Sequence, residues 1–126
     1  MRLTLVLGSD EGWIDVKERL KVKDERNLLG FSVNGFDADG TPRVRIENNA
    51  VAKAAVRIVA WSLPGVKPFP VASTFEAKIA AVDDLYTETF QAIAAALFKF
   101  EQDQAAEKTA KEDAETTNPT PDGASA

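Results

Sequence analysis

Residues 60–79 read AWSLPGVKPFPVASTFEAKI, and the fold turns on how this stretch is parsed. Trp61, Ser62 and Leu63 close an apolar run. Pro64, Pro68 and Pro70 then fall within seven residues and remove backbone donors that a helix would need. Upstream, Val51, Ala55, Ile58 and Ser62 lie on one helical stripe with Ala54 and Trp61 beside it. That spacing predicts a helix from an Asn48 or Asn49 cap to Ser62, stopped at Pro64-Gly65. Downstream, Ser73 followed three residues later by Glu76 has the form of a capping box, so a new helix is expected through Phe75, Ile79 and Val82. Asp83 and Asp84 interrupt or restart it. The stretch thus reads as a stiff elbow joining two helical parts.

Ahead of this elbow the chain has strand character. LTLVL at 3–7 is followed by the turn-rich GSDEG, and then Ile14, Val16, Leu20 and Val22 alternate with Asp15, Lys17, Arg19, Lys21 and Lys23, interrupted only at Glu18. Period-two alternation predicts a β-hairpin over residues 3–22 with a basic outer face. Asp24 is an expected N-cap for a short helix through ERNLLGF, NGFDADGTP an expected loop or hairpin tip, and RVRIE an expected third strand. Behind the elbow, Tyr86, Phe90, Ile93, Leu97 and Phe100 step by 4, 3, 4 and 3 and mark one face of a long helix enriched by Ala92, Ala94, Ala95 and Ala96. The expected class is α+β: a hairpin or three-stranded sheet followed by a helical C-terminal half, folded as one domain over residues 1–100.

Charge is unevenly placed. The chain carries −5, and residues 101–126 alone hold seven acidic groups against Lys108 and Lys111, which leaves 13 basic and 13 acidic groups before them. The final dozen residues contain no aromatic or aliphatic residue larger than alanine, too little to offset chain entropy. A neutral body with a disordered acidic tail is expected. No apolar run nears the roughly 18 residues of a membrane span, and the apolar start is too short for a signal peptide. A soluble cytoplasmic protein is the expectation.

The residue types restrict the chemistry. There is no cysteine and no histidine, which removes disulfides, thiolate ligation and the commonest general base. The DADG at 37–40 resembles the opening of a calcium loop, but Thr41, Pro42 and Asn48 stand where the later ligands and glycine belong, so it reads as a polar turn. No nucleophile, phosphate-loop or dinucleotide motif occurs, and Asp83-Asp84 is the one Asp-Asp pair in the body. Catalytic residues, cofactors and metal ions are therefore expected to be absent. The basic strand face reads as solvated, because no aromatic residue interleaves with it, and nucleic acid is not an expected partner.

The segment VAWSL, a Pro/Gly break, the extended PFPVA link and a capped helical stretch toward an acidic C-terminus resemble the tail assembly chaperones of long-tailed bacteriophages, over about residues 13–110. The resemblance implies a non-enzymatic protein of the host cytoplasm, absent from the mature virion. It implies binding to the tape-measure protein, recruitment of tail-tube subunits and, through a frameshift, a longer second product. A structural virion component, such as a tail-completion or head–tail connector subunit, is the alternative. Candidate partner-binding residues are Trp61 and Phe69 at the elbow and Tyr86, Phe90, Ile93, Leu97 and Phe100 on the last helix, with self-association as a further use of that stripe.

Overall fold

The computed structural model describes residues 1–71 and 73–117, the stretch 111–117 as helix backbone. Strands β1 (Arg2–Leu7) and β2 (Asp10–Val16) form the expected hairpin, with Leu7 paired to Asp10 across a two-residue Gly8-Ser9 turn. Gly8 supplies the positive φ of 66° that such primed turns require. The alternation decides the faces. Gly12, Ile14 and Val16 are buried, while Trp13 and Asp15 share the other face with Arg2, whose guanidinium lies 3.6 Å over the Trp13 ring and 2.8 Å from Asp15.

β2 ends at Val16, so the hairpin is shorter than the alternation to residue 22 suggested. The chain leaves the sheet and enters helix α1 (Val22–Ser32), capped at Lys21, not Asp24. Asp24 instead sits in the first helical turn, where its carboxylate accepts the Lys21 N–H at 3.1 Å. α1 runs directly into β3 (Val33–Phe36), which pairs antiparallel with β4 (Pro42–Val44) as a separate two-stranded sheet. The expected third strand at RVRIE therefore exists only in part, and it joins this second sheet. The polar 37–40 stretch is the hairpin tip: Thr41 donates its N–H to Asp39 Oδ1 at 3.0 Å, which holds the Asp39 carboxyl below its ordinary range.

Helix α2 spans Ile46–Arg57 and is capped at Arg45. Asn48 and Asn49 do not cap it. They lie inside its first turns and reach back to α1, Asn49 Nδ2 donating to Ser32 Oγ at 3.2 Å and Asn48 Nδ2 to the Phe31 carbonyl at 3.4 Å. Ser32 is 2% exposed, and its hydroxyl donates to Leu28 O at 2.6 Å, so this buried polar group is satisfied. Ala52, Ala54 and Ala55 are fully buried on α2, which packs against α1 and α3. Small side chains permit that close approach.

The helix does not continue to Ser62; it stops at Arg57, and Ile58–Ser62 form β5, the third strand of the first sheet, in the order β1-β2-β5. Ile58, Val59 and Trp61 are β-branched or aromatic and suit a pleated surface. Ala60 pairs with Asp15 but Ile58 with Val16, so Val59 is an extra residue forming a bulge. The bulge turns Ile58 and Trp61 to the same face although they are three residues apart, and they are 0% and 6% exposed. A spacing of three is also helical, which is why the segment mimics a continuing helix. Gly12 admits the end of β5: a Cβ there would lie 2.8 Å from the Ser62 carbonyl oxygen.

Helix α3 (Phe75–Asp83) begins at Thr74, whose hydroxyl accepts the Ala77 N–H at 3.2 Å; Ser73 lies one residue outside and donates to the Pro70 carbonyl. Ile79 and Val82 are its buried residues. Helix α4 starts at Thr87 and continues to Thr117. Two compact units divide the chain. Met1–Ala95 holds both sheets, α1 to α3 and the first turns of α4, and Ala96 onward holds the remainder of α4. The architecture is α+β, with a three-stranded antiparallel sheet and a helical C-terminal half. The tail expected to be disordered falls partly on helical residues 115–117, and its portion at 118–126 lies outside the described residues.

Candidate functional site

The elbow is a clasp. Gly65 takes a φ of 71°, Val66 N–H bonds the Leu63 carbonyl at 3.2 Å, and the chain folds back over Trp61. The indole Nε1–H donates to the Lys67 carbonyl at 2.7 Å, and the Phe69 ring meets the indole edge-to-face at 4.7 Å. Leu63 and Phe69 are 6% and 4% exposed. The prolines thus shape a short extended return that seals the inner face of β5. Beside it lies a cavity of about 450 Å³ lined by Trp61, Val66, Lys67, Pro68, Asp84 and the α3 alanines Ala77, Ala80 and Ala81.

The candidate residues separate by burial. Trp61, Phe69 and Ile93 belong to the buried set of the first unit. Leu97 and Phe100, in the second unit, are 2% and 5% exposed, and Phe90 is half-buried. Tyr86 is 76% exposed and precedes α4, its carbonyl accepting the Phe90 N–H at 2.9 Å. The five-residue stripe therefore has one open end at Tyr86 and a buried middle.

The charged feature of the first unit is a second cavity, of about 310 Å³. Its origin lies in the end of β2. Lys17 N–H bonds the Arg57 carbonyl at 2.8 Å, and Arg57 Nη1 returns a bond to the Lys17 carbonyl at 2.8 Å, which pins the chain where it leaves the sheet. Beyond that point Arg19, Lys21 and Lys23 share no strand face. They line the cavity with Lys17, and Lys78 joins them from α3. Ala55 and Val56 of α2 and Phe75 of α3 provide apolar lining, while Asn27 and Ser73 add polar groups.

Asp24 is the one carboxylate on that wall. Both its oxygens lie 3.1 Å from Lys17 Nζ, and Oδ2 also takes the Lys21 N–H. Burial pushes this carboxyl up, but the Lys21 N–H, the Lys17 ammonium and the charge of Lys78 together outweigh burial and hold it below the ordinary range. Asp24 is thereby committed to Lys17. Arg19, Lys21, Lys23 and Lys78 make no ion pair among the described residues. The expected solvated strand face at Lys17, Arg19, Lys21 and Lys23 is thus a cavity lining after the end of β2, and Lys78, far along the chain, joins it through the packing of α3.

No family model, curated protein or solved structure matches the chain.

The third feature is apolar and exposed. Every residue of β4 and three of four in β3 are exposed, and Phe36, Val44 and Ile46 are 64%, 53% and 81% exposed on or beside this hairpin. Among the described residues the sheet has two strands, so each leaves one edge without a strand partner. Leu29, in the α1 turn that feeds β3, is 62% exposed. No cluster of three or more acidic side chains suited to a metal ion occurs among the described residues, and no described helix is long and apolar enough to cross a membrane.

Proposed function

We propose that the chain is a non-catalytic tail assembly chaperone of a long-tailed bacteriophage, which holds an apolar segment of the tape-measure protein in solution and helps recruit tail-tube subunits. One observation carries the reading: the β3–β4 hairpin and the adjoining start of α2 display Phe36, Val44 and Ile46 to solvent beside a sheet with open edges among the described residues. An isolated two-stranded hairpin gains little stability from its own contacts. Exposed apolar groups beside unpaired main-chain donors and acceptors suit capture of an apolar segment. The resemblance around residues 60–79 supplies the proposed partner.

Co-expression with the tape-measure protein encoded beside it tests the proposal. The wild-type chain is expected to keep that protein soluble and to co-elute with it. The Phe36→Ser/Ile46→Ser variant is expected to lose the complex while retaining its circular dichroism. If the tape-measure protein is equally soluble alone and no complex elutes, the proposal fails. Mass spectrometry of purified virions separates it from the structural-component alternative, because a chaperone is missing from the finished particle.

A further inference from the structure

We propose that the basic cavity formed after β2 binds a small anion bearing a linear polyphosphate. This does not rest on the chaperone reading. Five cationic side chains, Lys17, Arg19, Lys21, Lys23 and Lys78, line a space of about 310 Å³ and face one carboxylate. That carboxylate is already taken up by Lys17 and the Lys21 backbone, at 3.1 Å each. Four positive charges are left without an ion pair among the described residues, although the whole chain carries −5. Like charges gathered in a concavity repel one another, and the repulsion is relieved by an anion that several of them reach together. Arg19 offers a planar fork and the lysines compact ammonium groups, a mixture suited to phosphate oxygens.

The shape and the overall charge select the size of ligand. The volume is at the low end of the roughly 300–1,000 Å³ found for small-molecule sites. The cations line one cavity of limited volume, which a long nucleic-acid backbone would overrun. A long polyanion would also extend over the surface of a net-negative protein. A compact anion stays within a screening length of about 8–10 Å, where the local charge is positive. Phe75, half-buried in the cavity lining, leaves an apolar surface next to the cations.

Isothermal titration with inorganic tripolyphosphate, ATP and a single-stranded oligonucleotide tests this on the full chain. Tripolyphosphate and ATP are expected to bind saturably at one site per chain, with affinity falling steeply from about 50 to 200 mM salt. The Lys23→Gln/Lys78→Gln variant is expected to weaken both by at least about tenfold, the loss of two charge-assisted contacts. Arg19→Gln, which leaves both lysines and Asp24 intact, is expected to weaken them as well, whereas Lys108→Gln on α4 leaves them unchanged. Tighter ATP than tripolyphosphate binding assigns the apolar wall to a base; equal binding assigns recognition to phosphate alone. Either result supports the site. Absence of saturable binding at low salt overturns it, as does equal weakening by Lys108→Gln. Preference for the oligonucleotide over both small anions also overturns it, in favour of a nucleic-acid surface.

Discussion

Removing the Trp61 indole is expected to be the most damaging single change in the first unit. The side chain is 6% exposed, its ring is met by Phe69 at 4.7 Å, and its N–H holds the Lys67 carbonyl at 2.7 Å. An indole of this kind buries roughly 200 Å². At about 25 cal/mol per Å² that is close to 5 kcal/mol, from which the part retained by alanine must be subtracted. Trp61→Ala is therefore expected to cost about 3–5 kcal/mol, as large core aromatics do. Trp61→Phe retains much of the apolar body but leaves the Lys67 carbonyl without its donor, and is expected to cost roughly 1–3 kcal/mol. A cycle with Phe69→Ala isolates the ring–ring coupling, expected at about 0.5–1.5 kcal/mol. Urea denaturation followed by circular dichroism measures all of these, with constant slope as the check that the midpoint shift reports stability. Tyr86→Ala, at a residue 76% exposed, serves as reference and is expected to change stability by less than about 0.5 kcal/mol. A Trp61→Ala cost below about 1 kcal/mol at unchanged slope would refute the clasp, since neither burial nor the hydrogen bond would then be holding the elbow.

Three further outcomes follow from particular contacts. Gly12→Ala places a methyl 2.8 Å from the Ser62 carbonyl, so β5 must move, and a destabilisation of about 1–3 kcal/mol is expected in the same denaturation assay. Thr74→Ala removes the α3 cap and is expected to cost about 1 kcal/mol, while Ser73→Ala stays within about 0.5 kcal/mol; the reverse order would return the cap to Ser73. Asp24 has a folded-state pKa below its unfolded value, so its contribution is present above the unfolded pKa, near about 4, and is lost as pH falls through the folded value. The stability gap between wild type and Asp24→Asn should accordingly be full at neutral pH and shrink below about pH 4. A gap independent of pH would remove the Lys17–Asp24 pair from the account.

The sequence was legible where side-chain period and local structure agree. LTLVL, the Gly8-Ser9 turn and the alternation through Val16 form the first hairpin, and the 4-3-4-3 stripe falls largely within α4. It misled where one period imitates another. The bulge at Val59 spaces Ile58 and Trp61 by three, so a strand carries a helical signature. From Lys17 to Lys23 the period of two persists beyond the last strand residue, because pairing stops where Arg57 binds the Lys17 backbone. Asn48 and Asn49 have the chemistry of caps but meet α1 instead. The basic cavity was out of reach for a different reason: Lys78 lies far along the chain, and only the packing of α3 on α2 brings it to Lys23. Likewise, nothing in the spacing of Phe36, Val44 and Ile46 shows that no third strand covers them.

The proposed capture of an apolar segment by the β3–β4 hairpin is tested most directly by hydrogen–deuterium exchange of the full chain, alone and with the tape-measure protein. The account predicts fast exchange at the outward edges of Val33–Phe36 and Pro42–Val44 in the free chain, and marked slowing there in the complex. Unchanged exchange in the hairpin, with protection appearing only elsewhere, would contradict it.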